Sequence, residues 1–321
     1  MHDAIQLDVR SAGEYVAALI VVGPTASGKS DLAIALAEQF QGEVVNFDSV
    51  QLYRDFDLGT AKPSARDLAR VPHHLIGVAD AHEPWTAGEY ARRARPVVED
   101  IAHRGRVPVL VGGTGFYLRA LVQGLSDAPV ATAPLRARLR RRPAAHLYRL
   151  LRRLDPEAAE RIAERDTSKV IRALEVRCLT GRPMAAGWRA SPPAGWPEIR
   201  PLKLGLNPDR AALYRRIDER ARMMFSEGIQ EETRRLLPLY PVELRIWIAH
   251  GYKQACDIVL RHADPAGALA EAQQEQRRYA KRQWTWFRAD PSCHWLAGFG
   301  DEPGVQRQAA ALAAAHLASF S

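Results

Sequence analysis

The sequence predicts an α/β fold: a parallel sheet core with crossover helices, an inserted helical domain and a helical C-terminal part. Three observations carry that reading. Up to about Gly124, short apolar runs alternate with amphipathic stretches, the βα rhythm that builds a parallel sheet. Beyond that point the strand-like runs stop, and Pro134 to Leu154 brings eight arginines and no acidic residue. From Arg210 onwards the apolar spacing is helical. With 321 residues, 47% of them apolar and 26% charged, the chain is a folded globular protein with ample material for a core.

In chain order, Tyr15 to Val22 reads as a buried strand closed by Gly23-Pro24, and Asp31 to Phe40 as the helix that follows it. Glu43 to Phe47 forms a second strand ending at Asp48. Leu75 to Val78 and Val107 to Val111 supply two more, with helical segments between them. Helical patterns dominate as far as Thr180. The proline- and glycine-rich stretch from Gly181 to Pro201 reads as a linker back to the core, and Leu202 to Leu206 as a returning strand. Pro241 and Gly251-Tyr252 break the helical pattern that follows, and the last ten residues or so form an Ala-rich helix.

The residues Gly23, Pro24, Thr25, Ala26, Ser27, Gly28, Lys29 and Ser30 satisfy the P-loop pattern, and they lie between a predicted strand and a predicted helix. The core is therefore expected to be P-loop NTPase-like. Backbone N–H groups of such a loop, with the helix N-terminus, form a nest for a diphosphate; Lys29 adds a point charge and the Ser30 hydroxyl a Mg²⁺ ligand. Nucleotide hydrolases usually place a Mg²⁺-holding Asp at the end of a later strand. Here Val107 to Val111 ends instead in Gly112-Gly113-Thr114-Gly115, which leaves Asp80 as the substitute. Asp48, at the C-terminal end of the second strand, either faces the phosphates or caps the next turn, and spacing does not choose between them. Thr114 carries the same two readings.

A net charge of +8 favours a polyanionic partner. Two segments concentrate it: Arg136 to Arg153, and Arg277 to Arg288, where five cations and four aromatics occur without an acid. Such interleaving suits a nucleic-acid surface that tracks the backbone and stacks bases, although Trp284 and Phe287 also read as core at helical spacing. The ten histidines show no metal-ligand spacing. Cys178, Cys256 and Cys293 make no CxxC, so a reducing cytoplasm is expected rather than a disulfide framework. The longest apolar run, Val16 to Val22, is far short of the roughly 20 residues of a membrane-spanning helix, and the acidic N-terminus is unlike a signal peptide.

Several motifs now stand in order: Gly23 to Ser30, Asp48-Ser-Val-Gln-Leu-Tyr53, Gly59-Thr-Ala-Lys-Pro63, Pro72-His-His-Leu-Ile76, Val111-Gly-Gly-Thr-Gly-Phe-Tyr-Leu118, Arg172-Ala-Leu-Glu-Val176, Gly251-Tyr-Lys253 and Ala280-Lys-Arg-Gln-Trp-Thr-Trp-Phe-Arg288. Together they resemble the bacterial tRNA dimethylallyltransferases, from residue 19 to residue 295. The resemblance implies transfer of a dimethylallyl group from its diphosphate to N6 of adenosine 37 of tRNA, in a P-loop core (19–126 and 200–321) with a helical insertion (127–199) that contacts tRNA. Residues 1–18 lie outside it and are expected to be disordered.

By the same resemblance, Asp48 would take the proton from N6, Thr114 would position the amine, and the P-loop with Arg172 would hold the diphosphate. Mg²⁺ would sit on Ser30. The tRNA would meet Asp48, Ser49, Val50 and Gln51; Arg136; Ser168, Lys169, Val170, Ile171 and Arg172; Ile248, Ala249, His250, Gly251, Tyr252 and Lys253; and Lys281, Arg282, Gln283, Trp284, Thr285, Trp286, Phe287 and Arg288. A monomer without membrane association is expected. Three positions depart from the family pattern: Gly77 in place of an Asp, Ser168-Lys169 in place of Gln-Arg, and His250 in place of an apolar residue. Three other readings stay open: an adenylate isopentenyltransferase acting on a free nucleotide, a small-molecule kinase using Asp80, and a non-catalytic RNA-binding protein.

Overall fold

The computed structural model describes residues 15–125, 129, 132–186, 195–249 and 251–320. They divide into two compact units, one formed by residues 1–121 with 197–321 and the other by residues 122–196.

The first unit is built on six parallel strands in the order β3-β2-β4-β1-β5-β6. These are β1 (Val16–Val22), β2 (Glu43–Asn46), β3 (His73–His74), β4 (Pro108–Val111), β5 (Ile199–Leu206) and β6 (Cys293–Leu296). β1 lies at the centre, with Leu19 opposite Val109 on one side and Leu202 on the other. Covered on both faces, it is apolar throughout rather than alternating, as buried parallel strands are. Val16, Ala17 and Ala18, outside the family resemblance, open this strand.

Helices α1 (Lys29–Gln39) and α13 (Pro303–Ala318) share a core on one face of the sheet with Leu19, Val21, Val109, Leu204 and Leu296. Helix α3 (Ala87–His103) buries Tyr90, Ala94, Val98 and Ile101, a three-to-four residue spacing that gives one continuous apolar stripe. Its Tyr90 hydroxyl donates to the carbonyl of Asn46 at the end of β2 (3.0 Å). The remaining helices of this unit are α2 (Ala65–Arg70), α4 (Gly115–Val122), α9 (Arg210–Ser226), α10 (Ile229–Leu236), α11 (Tyr252–Arg261) and α12 (Pro265–Arg288), with a 3₁₀ turn at Arg245–Ile248.

Two expectations are corrected. The strand expected at Leu75 to Val78 is the two-residue β3 just before it, because Leu75 and Gly77 both take left-handed φ, 61° and 60°, which no strand accommodates. The helical reading after Arg210 missed β6, whose Cys-His-Trp-Leu is too short to show a period.

The second unit packs α5 (Ala133–Arg140), α6 (Ala144–Leu154), α7 (Pro156–Arg161) and α8 (Thr167–Thr180) around Leu139, Leu147, Leu151, Ala158, Val170 and Leu174. Buried Asp155 caps α7 by accepting the Ala158 N–H and also accepts the Ala185 N–H. The linker expected from Gly181 to Pro201 lies partly outside the described residues, and Ile199 to Pro201 belong to β5.

Candidate active site

Three loops leave the C-terminal edge of neighbouring strands: Gly23–Ser30 after β1, Asp48–Gln51 after β2, and Gly112–Gly115 after β4. In an open parallel sheet this edge is where ligands bind. In the first loop Ala26 and Gly28 take left-handed φ, 62° and 82°, which turns successive N–H groups into one concavity, an anion nest at the start of α1. Gly28 is required for a second reason: a Cβ there would stand 2.8 Å from Gly300 N and 2.9 Å from Asp301 Oδ1. That neighbouring loop buttresses the nest, with the Gly300 N–H donating to Ser27 O (2.9 Å).

Lys29 reaches back into the loop and donates to Pro24 O (2.7 Å). Burial pulls its ammonium down to about 7; the Asp48 carboxylate opposes this and Arg220 adds to it. The Asp48 carboxyl is pushed up by burial, while the Val50 N–H, Lys29, the Gly113 N–H and Arg220 restrain the rise. Its Oδ1 accepts the Val50 N–H (3.1 Å), and its own N–H donates to Asn46 Oδ1 (2.9 Å). Asp48 thus caps the turn, one of its two sequence readings, and its carboxylate also interacts with the P-loop lysine. Thr114 Oγ1 accepts the Ser49 N–H (3.0 Å) and donates to Ser49 Oγ (3.1 Å), locking the loop after β2 to the loop after β4. Asp80, the kinase candidate, instead meets His82 (2.8 Å) and Arg54 (3.6 Å) at the surface.

Two helices beyond the sheet complete the site. Arg220 of α9 donates through Nη2 to Thr25 Oγ1 (2.5 Å) and Gln276 Oε1 (3.2 Å). Burial lowers its guanidinium to about 10, against the pull of Asp48, so it stays charged at neutral pH. On α12, Gln276, Tyr279 and Gln283 fall on one face at helical spacing. Tyr279 bonds to Thr114 and Gln283, and burial beside Asp48 strengthens its hold on its proton. Sequence reasoning missed Arg220, Gln276 and Tyr279. Arg220 lies in a charged helical stretch with Arg215 and Arg216, and Arg216 bears the same spacing to the buried row Leu213, Ile217, Ala221 and Met224, so no local pattern singles Arg220 out.

The other expected contacts are distributed unevenly. Gln51 Nε2 donates to the carbonyls of Thr60 and Ala61. Ser30, Lys281, Arg282, Thr285, Trp286 and Arg288 are exposed, whereas Gln283, Trp284 and Phe287 are buried. Trp286 lies against the backbone of Gly115, where a Cβ would come within 2.1 Å of its Nε1. Arg288 donates to Asn207 Oδ1 (2.8 Å). Ile248 is 65% exposed and Ala249 partly so, and His250 lies outside the described residues. Gly251 and Tyr252 are buried, the Tyr252 hydroxyl donating to buried Glu232 (2.8 Å), and Lys253 pairs with Glu271 and Glu275.

Within the second unit the Arg136 guanidinium forks onto the buried Glu175 carboxylate (2.7 and 2.9 Å), with Arg172 at 3.6 Å from the same group. Arg136, in the segment without acids, thus draws its counter-charge from α8. Lys169 pairs with Asp166 (2.7 Å), Val170 and Ile171 are core, and Ser168 lies in the first turn of α8.

A family model described as IPP transferase matches residues 51–290. A Koribacter versatilis protein named tRNA dimethylallyltransferase is 48% identical over 301 residues, spanning 90% of this chain and 95% of that one. Its namesake from Solibacter usitatus is 48% identical over 293 residues, with the same coverage. Among solved structures, a tRNA isopentenylpyrophosphate transferase from Bacillus halodurans is 32% identical, with a TM-score of 0.71 over 96% of this chain and 98% of that one. A eukaryotic dimethylallyltransferase acting on tRNA is 25% identical, with a TM-score of 0.78 over 93% and 77%.

Proposed function

The chain belongs to the IPP transferase family, and from that premise we propose that it transfers a dimethylallyl group from dimethylallyl diphosphate to N6 of adenosine 37, beside the tRNA anticodon. The observation that carries the reading is the placement of an anion nest and a desolvated carboxylate in one cleft: Lys29 and Asp48 each shift the other's proton equilibrium. The nest suits the diphosphate. The carboxylate suits the acceptor amine.

In the reaction N6 attacks C1 of the dimethylallyl group, the C1–O bond breaks, and the diphosphate leaves with the bonding pair. The surplus N6 proton goes to an Asp48 oxygen. An exocyclic aryl amine is a weak nucleophile, so a carboxylate made more basic by desolvation is placed where it helps. Lys29 and Arg220 meet the charge that grows on the departing oxygen, aided by the N–H groups of the nest. Thr114 keeps Ser49 and Asp48 in register with the loop after β4.

The donor set fits Mg²⁺. Ser30 offers an exposed hydroxyl in the first turn of α1, and no group of three or more His, Cys, Asp or Glu residues that could hold a metal occurs among the described residues. Such an oxygen donor would suit a Mg²⁺ ion, which would be held at Ser30. When bound, it neutralises charge on the leaving diphosphate.

For the RNA, the exposed cations and Trp286 on α12 offer phosphate contacts and a stacking face for bases of a single-stranded loop, from which adenosine 37 is extruded into the cleft. The curated relatives carry tRNA in their names, which favours this acceptor over a free nucleotide. No helix among the described residues is long and apolar enough to cross a membrane; the enzyme is proposed to act in the cytoplasm as a monomer. The test is mass analysis of nucleosides from tRNA incubated with the protein, Mg²⁺ and dimethylallyl diphosphate. A gain of one dimethylallyl group on adenosine is expected. Unmodified tRNA alongside prenylated AMP would overturn the proposal.

A further inference from the structure

We infer that Gln283 is a positioning residue that fixes the donor loop against the wall bearing the general base, rather than an RNA contact. The residue is 4% exposed. Oε1 accepts the Thr25 N–H of the P-loop (2.7 Å), and Nε2 donates to the Gly113 carbonyl in the loop after β4 (3.1 Å). The partners dictate the orientation of the amide, because an N–H needs the oxygen and a carbonyl needs the NH₂.

The Gln283 amide ties these two loops directly. The P-loop side carries the departing diphosphate, and the other side carries the acceptor machinery. A Cβ on Gly113 would stand 2.1 Å from Gln283 Nε2 and 3.1 Å from Asp48 Oδ2, so those two atoms are at most about 5 Å apart. Gln276, two turns earlier on α12, supports the same loop through Arg220, which in turn holds Thr25 Oγ1. The helix thus sets the span between the leaving group and the base. In-line transfer is sensitive to that span, since a misplacement of about 1 Å can cost about 10²-fold in rate.

The inference rests on the proposed transfer reaction, and its test separates the two. Gln283→Met keeps the volume and removes both loop hydrogen bonds together with the bond to Tyr279. Its single-turnover rate, with donor and tRNA saturating, should fall about 10–100-fold, while the dissociation constants of both substrates stay within a few-fold of wild type. Gln283→Glu keeps the acceptor for Thr25 but loses the donor to Gly113, so its rate should lie between the two. Its carboxylate, close to Asp48, should also move the acidic limb of the pH–rate profile upward. Should Gln283→Met melt below the assay temperature, Gln283→Glu carries the test.

An unchanged rate in a folded variant would overturn the inference. So would a loss repaired by raising tRNA concentration, because that marks an RNA contact. In the substrate-free protein, hydrogen exchange at the Thr25 amide should quicken in Gln283→Met while the Leu19 to Val21 amides stay protected. Unchanged exchange at Thr25 would sink the inference whatever the activity. A wild-type protein that prenylates no tRNA, yet shows the faster Thr25 exchange on substitution, would overturn only the reaction.

Discussion

Lys29 and Asp48 are each half-buried in the cleft and shifted in opposite directions by the same desolvation. Lys29, pulled down to about 7, is only partly protonated at neutral pH before the donor arrives. A bound diphosphate must raise it again, so donor binding takes up a proton. The affinity for dimethylallyl diphosphate is then greatest below about pH 7 and weakens as pH rises, by up to about tenfold per unit. Calorimetry in two buffers of different ionisation enthalpy should register the uptake, and Lys29→Arg, charged throughout, should abolish it. For Asp48 the sign is opposite: the base works ionised, so turnover falls as pH drops through its raised pKa. Asp48→Asn, which keeps an oxygen for the Val50 N–H, should lower turnover by about 10²–10⁴-fold with little change in tRNA affinity. Near-normal turnover would remove Asp48 from the mechanism.

At the scale of the elements, two buried carboxylates each gather cations within their own unit. Glu43 opens β2 and gathers Arg104, Arg106 and His74; the hydrogen bond from Arg104 first, and then His74, hold its carboxyl down to about 2 against the opposing effect of burial. Because the folded pKa lies below that of the unfolded chain, the contribution is complete above about pH 4.5 and is lost as pH falls toward 2; it is worth on the order of 3 kcal/mol. Glu43→Gln should therefore lower the melting temperature at pH 7 and matter progressively less in acid. Glu175 plays the corresponding part in the second unit. Arg136→Ala leaves that carboxylate with only the longer contact to Arg172, at a cost of about 1–3 kcal/mol. Thermal unfolding of the variant should show this loss, and the salt slope of tRNA binding should hardly move. A slope reduced by a full unit would restore Arg136 to the RNA surface.

Across the whole molecule, the net charge of +8 is not spread as the sequence suggests. Many arginines are consumed internally, among them Arg104 by Glu43, Arg216 by Asp301 and Arg277 by Asp218. Lys281 and Arg282 on α12, and Arg140, Arg149 and Arg153 in the second unit, meet no carboxylate among the described residues. Replacing Lys281 and Arg282 with alanine should reduce the salt slope of tRNA binding by about one unit each, measured as affinity across a salt series, and leave donor binding intact. The sequence by itself determined β1, the nest, Asp48 at the end of β2, and the inserted helices. These are local: a strand run, a glycine spacing or a change in composition occupies one stretch of chain. Only the tertiary structure decided which cations are free, that Arg220 belongs to the site, and that Gln283 braces it. Gln283 meets Thr25 across 258 residues and Gly113 across 170. The physical reason is that such bonds are set by how α12 packs beside the sheet edge, where burial turns a polar residue in a basic segment into a structural brace, and no periodicity within the segment encodes that.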